Sequence, residues 1–274
     1  MYTMAQLYII STPIGNLDDI TLRAIKILNL VDIVVCEDTR ISKKLLNHLQ
    51  ISKPLISYNN YNEQEKTQLL SKLLLEGKNI GLISDAGTPL ISDPGFLLIR
   101  ECYAKGIVVT TAPGPCSIIA ALVLSGLPLN RFLFLGFLNK SSLKKQELFK
   151  KYQYEDITLA FFESPHRILN TLQDLAKIFP KGQEVVIAKE LTKLYEEIKI
   201  NTLDNLIAFY QTNKAYGELV ILIKPKLDAL PVNDLIAIIK SNLGTLNPSD
   251  LAKKLAKEFN TTKNIIYEEI LKLK

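Results

Sequence analysis

Asn79–Gly95 reads NIGLISDAGTPLISDPG. Its first residues, Ile80, Leu82 and Ile83, form a short apolar run of the kind a buried strand uses. The run breaks into Ser84-Asp85-Ala86-Gly87-Thr88-Pro89, and Ser92-Asp93-Pro94-Gly95 follows. Two Gly/Pro/Asp clusters directly after a buried strand make a loop at its carboxyl end, where open α/β sheets bind ligands. Gly87 lets backbone come close to a ligand, and Asp85 brings a carboxylate to the same place. An ordinary strand-to-helix loop would read the same way, so the rest of the chain has to decide.

Upstream, Leu7–Ile10 is a short strand leaving through Ser11-Thr12-Pro13-Ile14-Gly15-Asn16, and a helix runs through Leu30 with Asp18 or Asp19 as its expected cap. Pro13 and Asn16 stand where a dinucleotide fingerprint wants glycine, and no GxxxxGK[ST] occurs, so Rossmann and P-loop sites are disfavoured. A second strand ends at Cys36 and exits through Glu37-Asp38-Thr39-Arg40. A third is expected at 54–58, and an amphipathic helix with Leu69, Leu70, Leu73 and Leu74 on one face follows. Beyond Gly95 a helix over 96–104 leads to a strand at 107–111, whose exit is Ala112-Pro113-Gly114-Pro115-Cys116-Ser117. The helix start after Pro115 offers free amides to a polar group. Four strand exits therefore carry Gly, Pro, hydroxyl or carboxylate residues. Alternating strands and helices argue a parallel sheet with those exits on one edge, forming a ligand cleft.

A seam is expected near Gly126–Arg131, and a second α/β half follows with strands at 132–137, 157–162, 185–188 and 216–223. Its strands are expected to be partly antiparallel, and two halves meeting at a seam predict a cleft between them. Lys140, Lys144, Lys145, Lys150 and Lys151 crowd a stretch whose one acid is Glu147. Such a run is either a solvated helix face or a phosphate-contacting patch. Lys224-Pro225-Lys226 reads as a linker, and the remainder as three short helices with Thr261/Thr262 capping the last. The expected division is 1–126, 127–225 and a helical module at 226–274.

Composition is that of an ordinary globular chain, with 274 residues, 47% hydrophobic and 22% charged. No run approaches the roughly 18 apolar residues of a membrane span, and MYTMAQLYIISTPIG has no basic start, so neither a membrane nor a secretory signal is expected. Cys36, Cys102 and Cys116 form no CxxC and only His48 and His166 are present, which disfavours a disulfide framework and a zinc site and suits a reducing cytoplasm.

LYIISTPIGNLDDITLRA, VVCEDTR, SDAGTPLISDPG, APGPCS, FFESPHR, AKELTK and GELVILI occur in that order. Together, over roughly residues 7–224, they resemble the ribosomal RNA small-subunit ribose methyltransferases of the tetrapyrrole (corrin/porphyrin) methylase superfamily. The resemblance implies two α/β domains, a homodimer, and S-adenosylmethionine held in the cleft between domains. It implies 2′-O-methylation of a cytidine in the decoding region of 16S ribosomal RNA. Carried over, the cofactor touches Ile14 and Gly15, then Asp85, Ala86, Gly87 and Thr88, then Cys116 and Ser117, and finally Ala188, Gly217 and Glu218. The chain departs from the pattern at Cys116, where the family carries Ser, and lacks a family His in the region 59–62. Candidates for taking the ribose proton are Glu37, Asp38, Glu163 and His166, with the first pair expected to face the second across the cleft. Lys189 and Glu190 are further candidates near the cleft for the same role. Arg40, Lys140, Lys144, Lys145 and Arg167 are the candidate RNA contacts. Two other readings use the same residues: a methyltransferase acting on a tetrapyrrole-type small molecule, and a non-catalytic protein that senses the cofactor and docks on ribosomes.

Overall fold

The computed structural model describes residues 5–225, 232–258 and 263–273. The expected caps Thr261 and Thr262, and Lys226 of the expected linker, lie outside the described residues. The chain divides into two compact units, Met1–Leu124 with Lys189–Glu197, and Ser125–Ala188 with Ile198–Lys274. The short segment Lys189–Glu197 thus belongs with the first unit although it follows most of the second-unit strands in sequence.

In the first unit the order is β1 (Gln6–Ile10), α1 (Leu22–Leu30), β2 (Ile33–Cys36), α2 (Thr39–His48), β3 (Leu55–Ser57), α3 (Glu63–Leu75), β4 (Ile80–Ile83), α4 (Phe96–Ala104), β5 (Val108–Ala112) and α5 (Ser117–Leu124). The five strands form one sheet in the order β3-β2-β4-β1-β5, and every described pairing is parallel. Strands such as IGLI are buried throughout because helices cover both faces. Ala24, Ile27 and Leu28 of α1 and Leu46 of α2 pack with Ile10, Val34 and Ile83 on one side. Leu70 and Leu74 of α3 and Leu98 and Cys102 of α4 pack with Leu7, Val35 and Leu82 on the other. Right-handed crossovers explain the split: α1 and α2 follow connections running toward β3, and α3 and α4 follow connections running back toward β5. The chain leaves neighbouring β1 and β4 in opposite directions. Their carboxyl ends are a topological switch point, the usual place for a ligand crevice.

One expectation at the first loop is corrected. Asp18 and Asp19 lie in a short 3-10 turn opened by Asn16, whose side chain accepts from the Asp18 amide. The cap of α1 is Thr21, which accepts from the Ala24 amide at 3.0 Å. Two closely spaced caps allow the loop to turn twice before the helix starts.

The second unit holds β6 (Phe132–Phe137), α6 (Ser142–Tyr152), β7 (Thr158–Glu163), α7 (Ile168–Leu175), β8 (Glu184–Lys189), β9 (Glu197–Thr202), α8 (Leu203–Thr212) and β10 (Leu219–Ile223), then α9 (Val232–Asn242), α10 (Pro248–Glu258) and α11 (Lys263–Lys272). Its sheet runs β6-β7-β10-β8-β9 and is mixed: β6 pairs parallel with β7, and β10 antiparallel. Strand β9 was not read from the sequence. EIKINT does alternate, but its polar positions make it a weakly marked edge strand. Phe149, Leu172 and Leu206 from the helices pack on Phe161, Val185 and Ile221 from the sheet. The last three helices share a small core of Ile239, Leu251, Leu255, Ile266 and Ile270, against which Tyr154 packs.

Candidate active site

In the first unit the four strand exits picked out in the sequence converge. Thr12 and Gly87 form an isolated antiparallel bridge, with amide-to-carbonyl distances of 2.9 and 3.1 Å. The Thr12 hydroxyl also donates to the Ser84 carbonyl at 3.1 Å. The Ser11 and Thr88 hydroxyls share a 3.1 Å hydrogen bond, and Thr88 donates to the Pro115 carbonyl at 3.0 Å. The loops after β1, β4 and β5 are therefore stitched together by their own hydroxyls, which is why Ser and Thr recur there. The exit of β2 joins them through the Asp38 amide, which donates to Asp85 Oδ1 at 3.1 Å. Gly87 takes φ +83°, and a Cβ on it would lie 3.2 Å from Ile14 and 3.7 Å from the Pro115 carbonyl oxygen. Glycine is required there both by conformation and by close approach.

Carboxylates gather at this edge. Burial raises the pKa of Glu37, and Asp85 and Asp38 raise it further. Burial also raises Asp85, against the hydrogen bond from the Asp38 amide. Asp93 is pushed up to about 6 by burial first, then by the negative charge of Glu37 and Asp85, partly offset by a hydrogen bond with Ser84. Glu37 and Asp93 line one small depression with Ser84, Tyr58 and Pro89. Asp93 is not among the candidates the sequence pattern marks. The second aspartate of a Pro/Gly cluster is visible in the sequence, yet its proton affinity depends on burial and on the charges of Glu37 and Asp85, which only the fold brings close.

Asp38 differs from its neighbours. It caps α2 by accepting from the Arg40 amide at 2.8 Å, and Arg40 Nη2 pairs with its other oxygen at 2.6 Å. Hydrogen bonds from the Arg40 side chain and amide hold Asp38 down at about 2. It is a structural cap and a weak base, and two of Arg40's donor nitrogens are occupied by it.

The remaining candidates lie in the second unit. Glu163, 2% exposed, accepts from Arg167 Nε at 2.6 Å, the Ser164 amide at 2.8 Å and the Thr171 hydroxyl at 2.6 Å. Arg167 also donates to the Leu138 carbonyl at 3.2 Å. This arrangement fixes the turn between β7 and α7 and leaves His166 exposed beside it. Ala188 is buried near the end of β8, and Gly217, at φ +75°, and Glu218 are exposed just before β10. Cys116 and Ser117 are half-buried at the start of α5.

Lys145 requires a correction. It is 4% exposed, pairs with Asp174 at 2.7 Å and donates to Thr171 at 3.0 Å. An ammonium so enclosed does not reach a phosphate. Burial works against the Asp174 carboxylate, but hydrogen bonds from Lys145, Ser142, Lys177 and Gln146 outweigh it and hold the group at about 2. Lys140 and Lys144 are exposed, so the lysine run is split between surface and core.

The carboxylates gathered at this edge favour a cationic ligand. Among the described residues no group of three His, Cys, Asp or Glu side chains is placed to hold a metal ion, and no helix is long and apolar enough to cross a membrane.

Residues 6–207 match the family of tetrapyrrole (corrin/porphyrin) methylases, and the chain is a member of it. The methyltransferase CobJ superposes with a TM-score of 0.62 at 17% identity, covering 81% of this chain and 95% of that one. A diphthine synthase gives 0.64 at 16% identity, covering 81% and 90%. At such identities these two show the shared fold alone. Sequence relatives narrow the class. The Escherichia coli O157:H7 protein named "Ribosomal RNA small subunit methyltransferase I" is 41% identical over 98% of this chain and 96% of its own length. Its namesake from Haemophilus influenzae is 47% identical over 81% and 80%. The Thermotoga maritima namesake is 42% identical over 81% of this chain and all of its own length. The chain belongs to the ribosomal RNA small subunit methyltransferase I family.

Proposed function

We propose that this protein transfers a methyl group from S-adenosylmethionine to the ribose 2′-oxygen of a cytidine in the decoding region of 16S ribosomal RNA, acting in the cytoplasm as a homodimer. The observation that carries the reading is the convergence of four strand exits at one sheet edge, with Glu37, Asp85 and Asp93 gathered there. The relatives named for small-subunit RNA support the substrate class.

When bound, S-adenosylmethionine supplies a methyl group already activated by its sulfonium. The chain's task is then alignment and charge. Ile14, Gly15, Asp85–Thr88, Cys116 and Ser117 hold the donor in this reading, and Ala188, Gly217 and Glu218 complete its surroundings. The ribose 2′-oxygen forms its bond to the methyl carbon as the carbon–sulfur bond breaks, and the hydroxyl proton must leave. A base works best with a pKa near the operating pH. Asp93, at about 6, fits that better than Asp38 at about 2. Glu163 is committed to Arg167 and Thr171, so it serves the proposed RNA contact by holding Arg167 rather than by moving a proton. Lys140, Lys144, Arg40 and Arg167 are the proposed backbone contacts.

The test is methyl transfer from labelled S-adenosylmethionine to small subunits purified from cells lacking this gene, followed by mapping of the modified ribose. Label at a cytidine 2′-oxygen in the decoding region is the expected result. Label on a base, on a tetrapyrrole precursor supplied in parallel, or nowhere despite tight cofactor binding would each refute it.

A further inference from the structure

The segment Lys189–Glu197 (KELTKLYEE) is tied down by its own ion pairs and hydrogen bonds. Glu190 and Thr192 both take positive φ, +50° and +64°. Such values are rare outside glycine and, for a β-branched residue, persist only where the surroundings enforce them. The enforcing contacts are present. The Thr192 amide donates to Glu196 Oε2 at 2.6 Å, Lys193 pairs with Glu190 at 2.9 Å, and Lys189 pairs with Glu197 at 2.6 Å. Leu191 is buried beneath.

The segment is also fastened to the loop after β1. The Asn16 amide donates to Thr192 Oγ1 at 3.1 Å. A Cβ on Gly15 would lie 2.8 Å from Thr192 Oγ1 and 3.0 Å from the Leu191 carbonyl oxygen, and would run into Lys193 Cγ. Gly15 is glycine because this segment lies on it.

All that order supports a tip made of Leu194, 87% exposed, and Tyr195, 73% exposed. A large apolar pair on a rigid support loses little freedom on binding. Both flanking lysines are paired with glutamates, so the tip offers an aromatic face in place of a phosphate clamp. Single-stranded RNA is recognised by such faces, on which unstacked bases lie. The support is bonded to the loop that the proposed function assigns to the methyl donor, which puts the tip on the same side of the chain as the proposed reaction.

The geometry points to Tyr195 as the stacking platform for an unstacked base next to the methylated nucleotide, with Leu194 closing its edge. This rests on the proposed function, and the experiment separates the two. Full-length wild type, Tyr195→Ala, Tyr195→Phe, Tyr195→Trp and Tyr195→Leu are compared for binding to purified small subunits, for the KM and kcat of methyl transfer, for calorimetric binding of S-adenosylmethionine, and for oligomeric state. Tyr103→Ala is the control, since Tyr103 is 65% exposed at the end of α4, on the edge where β5 begins. Base–aromatic stacking sets an expected loss of about tenfold or more in subunit affinity and KM for the alanine variant. Phe and Trp restore both, Leu does not, and cofactor binding, oligomeric state and the Tyr103 control stay unchanged. An alanine variant within twofold of wild type, rescue by Leu equal to rescue by Phe, or a change of oligomeric state would overturn the platform. If wild type binds small subunits without methylating them, the proposed function fails while the binding series still decides Tyr195. If wild type neither binds nor methylates them, both fall.

Discussion

Lys145→Ala is expected to damage the protein's stability and to leave its RNA contacts alone. The side chain is enclosed, and its ammonium satisfies Asp174 and Thr171 together. Removing it leaves a carboxylate that is itself 3% exposed, with Ser142, Gln146 and Lys177 as its remaining side-chain donors among the described residues. Thr171, fully buried, loses the donor that lets its own hydroxyl point at Glu163. Breaking one side of a buried ion pair costs about 3–5 kcal/mol. For a protein of this size each kcal/mol lowers the melting temperature by about 2–4 °C, so a fall of about 10 °C is expected. Thermal unfolding monitored by circular dichroism reads it, and Lys145→Met with Asp174→Leu should recover part of the loss because the pair is then removed whole. Subunit binding, measured at a temperature where the variant remains folded, should keep its salt dependence. A variant with unchanged melting temperature and a salt slope reduced by about 0.7–0.9 would show that the ammonium lies on a phosphate, and the enclosed pair would be refuted.

Asp93 should trade stability for activity. Its carboxyl, raised to about 6, contributes stability that is fully present below the unfolded value and is lost as pH rises through about 6. Asp93→Asn should therefore gain about 1 kcal/mol at pH 8, after allowance for partial exposure, and nothing at pH 4, in urea titrations at both pH values. Methyl transfer should fall by at least about a hundredfold; equal activity would remove Asp93 from the chemistry. Asp174 has the opposite sign: its stabilisation is present above the unfolded value and drains away as pH falls from about 4 toward 2, a loss that Lys145→Ala should blunt in acid titration. Gly15→Ala forces Leu191 and Thr192 apart from the first loop and should cost about 1–3 kcal/mol of stability, with S-adenosylmethionine affinity falling in calorimetry; unchanged affinity would detach that loop from the donor. Charge reversal at exposed Lys140 and Lys144 together should weaken subunit binding and flatten its salt dependence without moving the melting temperature.

Much of the first unit was legible because it is written in local patterns. IVVC and IGLI mark strands buried on both faces, and the Gly/Pro/hydroxyl clusters after Ile10, Cys36, Ile83 and Ala112 mark their exits. The Asp18/Asp19 cap failed because two elements start there, a 3-10 turn capped by Asn16 that takes up both aspartates and a helix capped by Thr21. Strand β9 failed because an edge strand need not be apolar. The lysine run could not be parsed at all from sequence. Lys144 and Lys145 are neighbours in the chain, yet helical geometry turns one to solvent and the other to Asp174.

The sequence by itself determined the alternation of strands and helices, the glycines where backbone must turn, and the family, since each depends on residues close together or on motifs read in order. Tertiary structure alone decided which charges are usable. Asp93 is raised by burial and then by Glu37, Lys145 is neutralised by Asp174, and Thr192 reaches back to Asn16 across 176 positions. Burial and Coulomb interaction depend on distance in space, and distance along the chain does not reveal it.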